Sequence, residues 1–471
     1  MPVLHQVTVV CHQFPPWRMG GLAEYAERCL HHLHRHRGDL RLRLYTMNHP
    51  GDQPRHGVSG GVPVVRPRMP RWLGRRLFDP DRALSARGQG LFALALLAFN
   101  LGTFLGLCRG RRRGAVVAVH DWQSTPVGIL AATLLRLPVV YHVHNTEQTM
   151  APRPDVADPL RIIGTCQRVM AALAVLVVVP TPEMGALLVR HGFPAAKIRV
   201  VPHGYEDPPE TDRPVADGGT APDGKTAPAG GTALDDRAAI RAELLAAAGF
   251  PTDARILVFA GRLSPVKGVP TLLRALPDIV RRHPATRLFL LGTGLPGTDQ
   301  GTVVDRLVAE LGIADRTHVY HRHLPREQVR RHYLAADLCL FPSTYEPFGL
   351  VSVEAMALGT PVLLGPGFSA TIGTDGVRPT ALRLTADRPD ELARLAGNLL
   401  ADPAYAAELG DRGRRHVERS FNWAASVDAA VAVYEEAVTA RRSVPGDREG
   451  TPAGRRTVPR PTVADPAGEP R

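Results

Sequence analysis

Three short strings in this chain carry residue types suited to holding a phosphorylated ligand. The first, GRLSPVKG at 261–268, follows the apolar run ARILVFA. Arg262 and Lys267 there lie in a loop leading to a helix, where two cations beside a helix N-terminus would clamp a diphosphate. Charge-assisted hydrogen bonds are roughly twice as strong as neutral ones. The chain has only three lysines, Lys197, Lys225 and Lys267, so the use of one here is itself a pointer. The second string, TYEPFGLVSVEAMALGTPVLL, follows the run DLCLFPS. Glu346 lies in its loop and Glu354 eight residues on, inside the next helix. A carboxylate can accept from two vicinal sugar hydroxyls at once. Phe348, Gly349 and Leu350 open that helix, whose first N–H groups have no intrahelical partner and face a ligand. The third string, FPPWRMGGLAEYAE, sets Gly20 and Gly21 before a helix. Glycine lets a phosphate approach the backbone, and a helix N-terminus favours its charge. The spacing is not GxGxxG, which counts against a dinucleotide dehydrogenase. His120, with Asp121 and Trp122, ends the apolar run AVVAV, and His142, His144 and Asn145 end the next one. These stand where an acceptor would be met.

All these residues fall at the ends of apolar runs that alternate with helical patterns. QVTVV, RLRLYTM, AVVAVHD, PVVYHVHN, LAVLVVVPT and KIRVVPHG read as strands of a first half. ARILVFAG, ATRLFLLGTG, THVYHRHL, DLCLFPS and PVLLG read as strands of a second. Continuous apolar strands alternating with helices make parallel sheets covered on both faces. Such sheets bind ligands beyond the carboxyl ends of their strands. Between the halves, residues 207–236 are rich in Pro, Gly, Thr and Asp and read as a disordered linker, and 443–471 read as a disordered tail. The expected domains are 1–206 and 237–424.

Composition sets the surroundings. With 44% hydrophobic and 22% charged residues in 471, the chain has the balance of a soluble globular protein. The net charge of +12 falls within residues 1–120, which hold eighteen Arg, no Lys and six Asp or Glu. A basic half suits an anionic partner: a nucleotide, a membrane surface or nucleic acid. Nucleic acid is disfavoured, because the Arg-rich stretch at 66–76 contains only Trp72 for stacking. Contact with acidic lipid would run through Arg66, Arg68, Arg71, Arg75 and Arg76. The run LFALALLAFNLGTFLGL at 91–107 is short for a membrane span and contains Asn100, so a buried helix is expected. Five scattered cysteines form neither a metal motif nor a disulfide framework, and the first residues read as a strand, not a signal peptide. A cytoplasmic protein, peripheral on the inner membrane face at most, follows as the expectation.

Taken together, GRLSPVKG and YEPFGLVSVEAMALGTPV resemble the retaining glycosyltransferases of family 4, which have the GT-B fold of two Rossmann-like domains facing a cleft. The resemblance covers about residues 3–440 apart from the linker, and it implies that a last helix at about 425–442 returns to complete the first domain. It implies a nucleoside-diphosphate sugar as donor, a hydroxyl acceptor, and neither metal nor cofactor. Arg262 and Lys267 would hold the diphosphate, and Glu354 the ribose. Glu346 and the Phe348–Leu350 backbone would hold the sugar, Gly20 and Gly21 would close on the phosphates, and His120 would sit near the anomeric centre. RMGGL and HDW are similar to stretches of glycogen synthases, with Arg18 in a lysine's place. GPGFSATIGTDG at 365–376 departs from the family's usual Gly-Gly and Glu. A sugar-nucleotide epimerase or a phosphorylase shares the fold and is the competing enzyme. A basic membrane- or nucleic-acid-binding protein is the competing non-enzyme.

Overall fold

The computed structural model describes residues 4–16, 21–49, 53–69, 72–73, 86–110, 114–146, 157–205, 233–294 and 300–442. Gly20, Arg18, Arg71, Arg75 and Arg76 lie outside these residues, as do the expected tail and most of the expected linker.

The first half forms an eight-stranded sheet. Its strands are β1 (Gln6–Cys11), β2 (Arg41–Tyr45), β3 (His56–Ser59), β4 (Val62–Val65), β5 (Ala115–His120), β6 (Val139–His142), β7 (Leu176–Val179) and β8 (Ile198–Val200), in the order β3-β4-β2-β1-β5-β6-β7-β8. The pairing is parallel except between β3 and β4. The β3–β4 hairpin was not among the expected strands. Its two-residue turn is Gly60-Gly61, with φ of 53° and 84°, a conformation that glycine adopts without strain. The second half is a six-stranded parallel sheet, β9 (Arg255–Ala260), β10 (Thr286–Leu291), β11 (Thr317–Tyr320), β12 (Leu338–Phe341), β13 (Val362–Leu364) and β14 (Leu382–Arg383), in the order β11-β10-β9-β12-β13-β14. Apolar cores cover both faces of each sheet. This is the α/β architecture of two parallel sheets that the alternating pattern predicts.

The helices that bear on the site are α1 (Gly21–His36), α2 (Ala86–Arg109), α3 (Thr125–Thr133), α4 (Pro182–Arg190), α5 (Val269–Arg282), α6 (Arg326–Ala335), α7 (Leu350–Ala357) and α8 (Trp423–Arg442). α8 returns to the first half, where Val427, Val431, Tyr434 and Val438 enter the core beneath β1 and β5.

Two expectations are corrected. A helix begins at Ala233, inside the stretch read as linker. α2 is not a buried helix: Ala95, Phe99, Asn100, Thr103 and Leu107 face the domain, but Leu94, Leu97, Leu101 and Leu105 are exposed. The run is apolar all round, so its periodicity marks no outward face. Burial needs cover on both sides, and the described residues give α2 cover on one. Asn100, which argued against a span, lies inside the domain. Its amide donates to the carbonyls of Leu96 and Gln123 and accepts from the Val127 N–H.

Candidate active site

The loop after β9 and the loop after β12 meet at the carboxyl edge of the second sheet. Lys267 ends a short 3-10 turn, Pro265–Lys267, immediately before α5. Gly268 follows with φ 74°, and a Cβ there would lie 2.2 Å from the Pro342 carbonyl oxygen. Only glycine permits that approach of the two loops. The Thr344 N–H donates to the Val266 carbonyl at 2.9 Å and fixes their register. The result is a Lys267 Nζ–Glu346 Oε2 ion pair of 2.6 Å, with the side chains 18% and 11% exposed. Arg262 lies half-buried in the same loop, two residues beyond β9. Gly349 caps α7 with φ 96°, and a Cβ there would meet the Phe368 ring at 2.4 Å. Gly349 therefore sets the turn that aims the first N–H groups of α7 out of the sheet edge.

From the other half, the start of α1 faces this edge. A Cβ on Gly21 would lie 3.3 Å from Leu350 Cδ1, so the N-termini of α1 and α7 abut across the cleft. Both helices turn the positive end of their dipole to one place.

Glu354, one turn into α7, sits in a cluster that the sequence did not announce. Arg326, at the start of α6, lies 3.2 Å from both Glu354 and Glu24, the latter on α1 of the first half. Arg28 pairs with Glu24 at 2.6 Å. Burial pushes the Glu354 carboxyl up to about 7, repulsion from Glu24 adds to the rise, and Arg28 opposes it. Nothing in the spacing of Glu24 or Arg326 marks them as partners, since they are 302 residues apart.

His120 closes β5 and pairs in register with His142, the last residue of β6. Their rings stack at 4.4 Å, and His120 Nδ1 lies 2.9 Å from His144 Nε2. His144 Nδ1 lies 3.2 Å from His203 Nε2, and Tyr434 of α8 reaches His142 at 3.1 Å. Tyr25 of α1 packs on His203 and His144 at 4.1 and 4.7 Å. Burial holds all four imidazoles well below their ordinary range, His144 at about 3, so they are neutral at physiological pH. His120, His142 and His144 hold their ring nitrogens within 4.8 Å of one another. Yet their planes are within 14° of parallel and two rings are stacked, so their in-plane lone pairs do not converge as tetrahedral metal ligation requires. Asp121 has φ 54° and ψ 176°, a region that costs a non-glycine residue about 1–3 kcal/mol. Its N–H donates to the His142 carbonyl and its carboxylate accepts the His144 N–H at 2.7 Å. Strain of that kind beside a strand-end histidine suits a functional edge.

The histidine group meets the second half through His203, whose ring lies 4.7 Å from Phe348. Thr146 and Tyr345 share a hydrogen bond of 3.3 Å, and Thr181 donates to the Pro347 carbonyl at 3.1 Å. Where the sequence departs from the family pattern, Glu183 of α4 accepts from Ser369 and from the Ala370 N–H. The structure thus brings Lys267, Glu346, Gly21, Leu350 and Phe348 to one cleft. His120 is 3% exposed and makes its ring contacts within the first half. Tyr25, His203, Glu24, Arg326 and Glu183 were not singled out from the sequence. A separate cavity of about 260 Å³ opens near the amino ends of the second sheet's strands, where Asp337 is committed to Arg241 and to the Ile256 N–H.

A family model described as "Glycosyl transferases group 1" matches residues 240–416, and one described as "Glycosyl transferase 4-like domain" matches residues 20–204. A D-inositol 3-phosphate glycosyltransferase of Kineococcus radiotolerans is 32% identical over 368 residues, 74% of this chain and 78% of its own. One of Xylanimonas cellulosilytica is 30% identical over 439 residues, 86% and 98% of the two chains. Among solved structures, sucrose-phosphate synthase from Thermosynechococcus elongatus superposes with a TM-score of 0.68 at 22% identity, over 93% of this chain and 100% of that one. The catalytic domain of starch synthase IV from Arabidopsis thaliana, bound to ADP and acarbose, gives 0.66 at 15% identity, over 93% and 100%. The chain belongs to the group 1 glycosyltransferases, has the GT-B fold, and is an enzyme that transfers a glycosyl group.

Proposed function

We propose that the chain moves a hexose-type sugar, with retention at the anomeric carbon, from a nucleoside-diphosphate sugar to a hydroxyl acceptor. The observation that carries this is the Lys267–Glu346 pair beside two facing helix N-termini. A diphosphate arriving there would share the Lys267 cation with Glu346 and take N–H groups from both helices. Arg262 would add a second cation. Glu346 would then turn to the sugar hydroxyls, with the Phe348–Leu350 backbone alongside, and Glu354 would accept from the ribose. Gly20 and Gly21 would let the phosphates approach, and neutral His120 would face the sugar without adding charge. The bond from the anomeric carbon to the diphosphate breaks, the bond to the acceptor oxygen forms on the same face, and the acceptor proton passes to the leaving phosphate. Negative charge grows on that phosphate, where the cations and dipoles count most. No metal is called on. The enzyme would work in the cytoplasm, with its Arg-rich half against an anionic membrane surface.

A thermal-shift panel of UDP-, GDP-, ADP- and TDP-sugars tests the donor side, since a ligand stabilises by RT ln(1 + [L]/Kd). One nucleotide should stand out, and no shift from any would end the proposal. The acceptor panel starts from D-inositol 3-phosphate, the acceptor that the relatives' names carry. It extends to glucans, lipids and aminocyclitols, and the anomeric configuration of the product tests retention.

A further inference from the structure

α2 lies on the surface of the first half as a half-covered apolar helix. Its inner side is seated by small residues. A Cβ on Gly102 would lie 2.6 Å from Pro67, and one on Gly106 would lie 2.5 Å from the Tyr45 hydroxyl. Its outer side carries Leu94, Leu97, Leu101 and Leu105, exposed by 44%, 63%, 51% and 47%. The spacing of three and four residues keeps them on one stripe. The helix contains no Asp or Glu. Around it stand cations. Arg109 ends the helix, exposed Arg68 follows Pro67, and Arg43 Nη1 lies 3.6 Å from where a Gly110 Cβ would be.

We propose that this leucine stripe inserts into the headgroup layer of an anionic bilayer, with the arginines around it on lipid phosphates. The inference rests on the surface-contact reading above and gives it a face. A helix with an apolar stripe and a basic rim lies in the plane of the interface. α2 does not span the membrane, because Asn100, Thr103 and Leu107 are locked into the domain. A second copy is the poorer occupant: a twofold interface sets the same patch against itself, arginine rim facing arginine rim. A lipid surface neutralises that rim. The face is also tied to the cleft. Asn100 holds the Gln123 carbonyl and the Val127 N–H, both just past His120, and Phe92 lies 6.5 Å from Trp122. Docking through α2 would therefore bring the acceptor side of the cleft to the membrane.

Flotation of the full chain with phosphatidylcholine vesicles, with and without about a third phosphatidylglycerol, tests this. The chain should float with the anionic vesicles and not with the neutral ones. Leu97→Glu/Leu101→Glu should cut the bound fraction by about tenfold or more, with melting temperature and donor-induced thermal shift unchanged. Leu97→Trp should keep it. Equal flotation of the double-Glu variant would overturn the leucine face and leave a purely electrostatic contact. If the parent floats with neither vesicle, both the face and the contact fail, while the donor shift still reports on the transferase reading. A parent that is a dimer in solution, made monomeric by the Glu substitutions and indifferent to vesicles, would assign the stripe to a second copy.

Discussion

The two walls of the cleft are built from different materials. The wall given by the second half, the donor wall of the proposed reaction, is made of turns and charges. Gly268 and Gly349 fold two loops so tightly that no side chain is tolerated, and the loops deliver one lysine and one glutamate to each other. The opposite wall is made of neutral rings. His120, His142, His144 and His203 are stacked and hydrogen-bonded among Tyr25 and Tyr434, with a strained aspartate as their backbone anchor. A leaving diphosphate needs fixed charge, which these loops at helix N-termini would supply on the proposed reading. A sugar or acceptor hydroxyl needs hydrogen-bonding groups that add no charge; neutral imidazoles would supply those on the proposed reading, and His144 is the half-buried one of the four. The contrast implies that substitutions on the donor wall change rates and affinities, whereas those on the histidine wall change the response to acid.

The largest effect should come from Lys267→Ala. Losing a cation on the leaving group should cut turnover by about a hundredfold or more. The loop position alone suggests an unaffected fold, but the 18%- and 11%-exposed pair suggests otherwise, since Glu346 would be left without its counter-ion. Lys267→Ala/Glu346→Gln should therefore recover the melting temperature and not the turnover. Recovery of both would show the pair to be structural only.

Next come the two glutamates, separately. Glu346→Gln should lose mainly turnover, because Glu346 shares the Lys267 cation and, on the proposed reading, lies at the transferring end. Glu354→Gln should lose mainly donor affinity, by about tenfold, because a ribose contact is made equally before and during reaction. Steady-state kinetics with the donor that the thermal-shift panel selects decides the matter. Loss of affinity alone in both variants would remove Glu346 from the chemistry.

The same contrast explains what the sequence revealed. The donor wall was legible because glycine, lysine and glutamate cluster in two contiguous strings at strand ends. Nothing within either string marks Lys267 and Glu346 as partners, 79 residues apart. The Gly-Gly turn of the β3–β4 hairpin was written in plain letters and passed over between longer runs. The histidine wall comes from positions 120, 142, 144 and 203, one or two at a time, and only β-sheet register brings His120 beside His142. Tyr25 and His203 carry no local signature at all. The outward face of α2 escaped because a uniformly apolar helix has no period to read.

On the histidine wall, acid should act on stability. A buried imidazole whose folded-state value is depressed binds its proton more readily when unfolded. Stability is therefore complete above the ordinary histidine range near 6.5 and is lost as pH falls towards the folded values, about 3 for His144. Each such group contributes a loss of about 1.4 kcal/mol per pH unit within that window. Melting temperature should drop steeply between pH 6.5 and pH 5, and less so in His144→Gln. A flat profile would mean that water reaches these rings.

The smallest effect, and the one that joins the two walls, belongs to Arg326. Its guanidinium lies between Glu24 of α1 and Glu354 of α7, so it bridges the halves at the proposed ribose site. The Glu354 carboxyl, lifted to about 7, is divided between protonated and charged forms near neutral pH. The charged form is the one that accepts from two hydroxyls. Donor KM should therefore fall as pH rises through about 7, and Glu354→Gln should flatten that dependence. Arg326→Ala removes a cation that favours the charged form, leaving Glu354 facing Glu24 with Arg28 alone in opposition. Its carboxyl should titrate higher still, and the fall in KM should move to higher pH. At pH 6 the variant should bind donor a few-fold more weakly than the parent, and by pH 8.5 the two should converge. If Arg326 instead competes with the ribose for Glu354, the sign reverses and the variant binds donor more tightly at high pH. Donor KM measured across that range in the parent, Arg326→Ala and Glu354→Gln separates the two. A KM independent of pH in the parent would remove Glu354 from the ribose altogether.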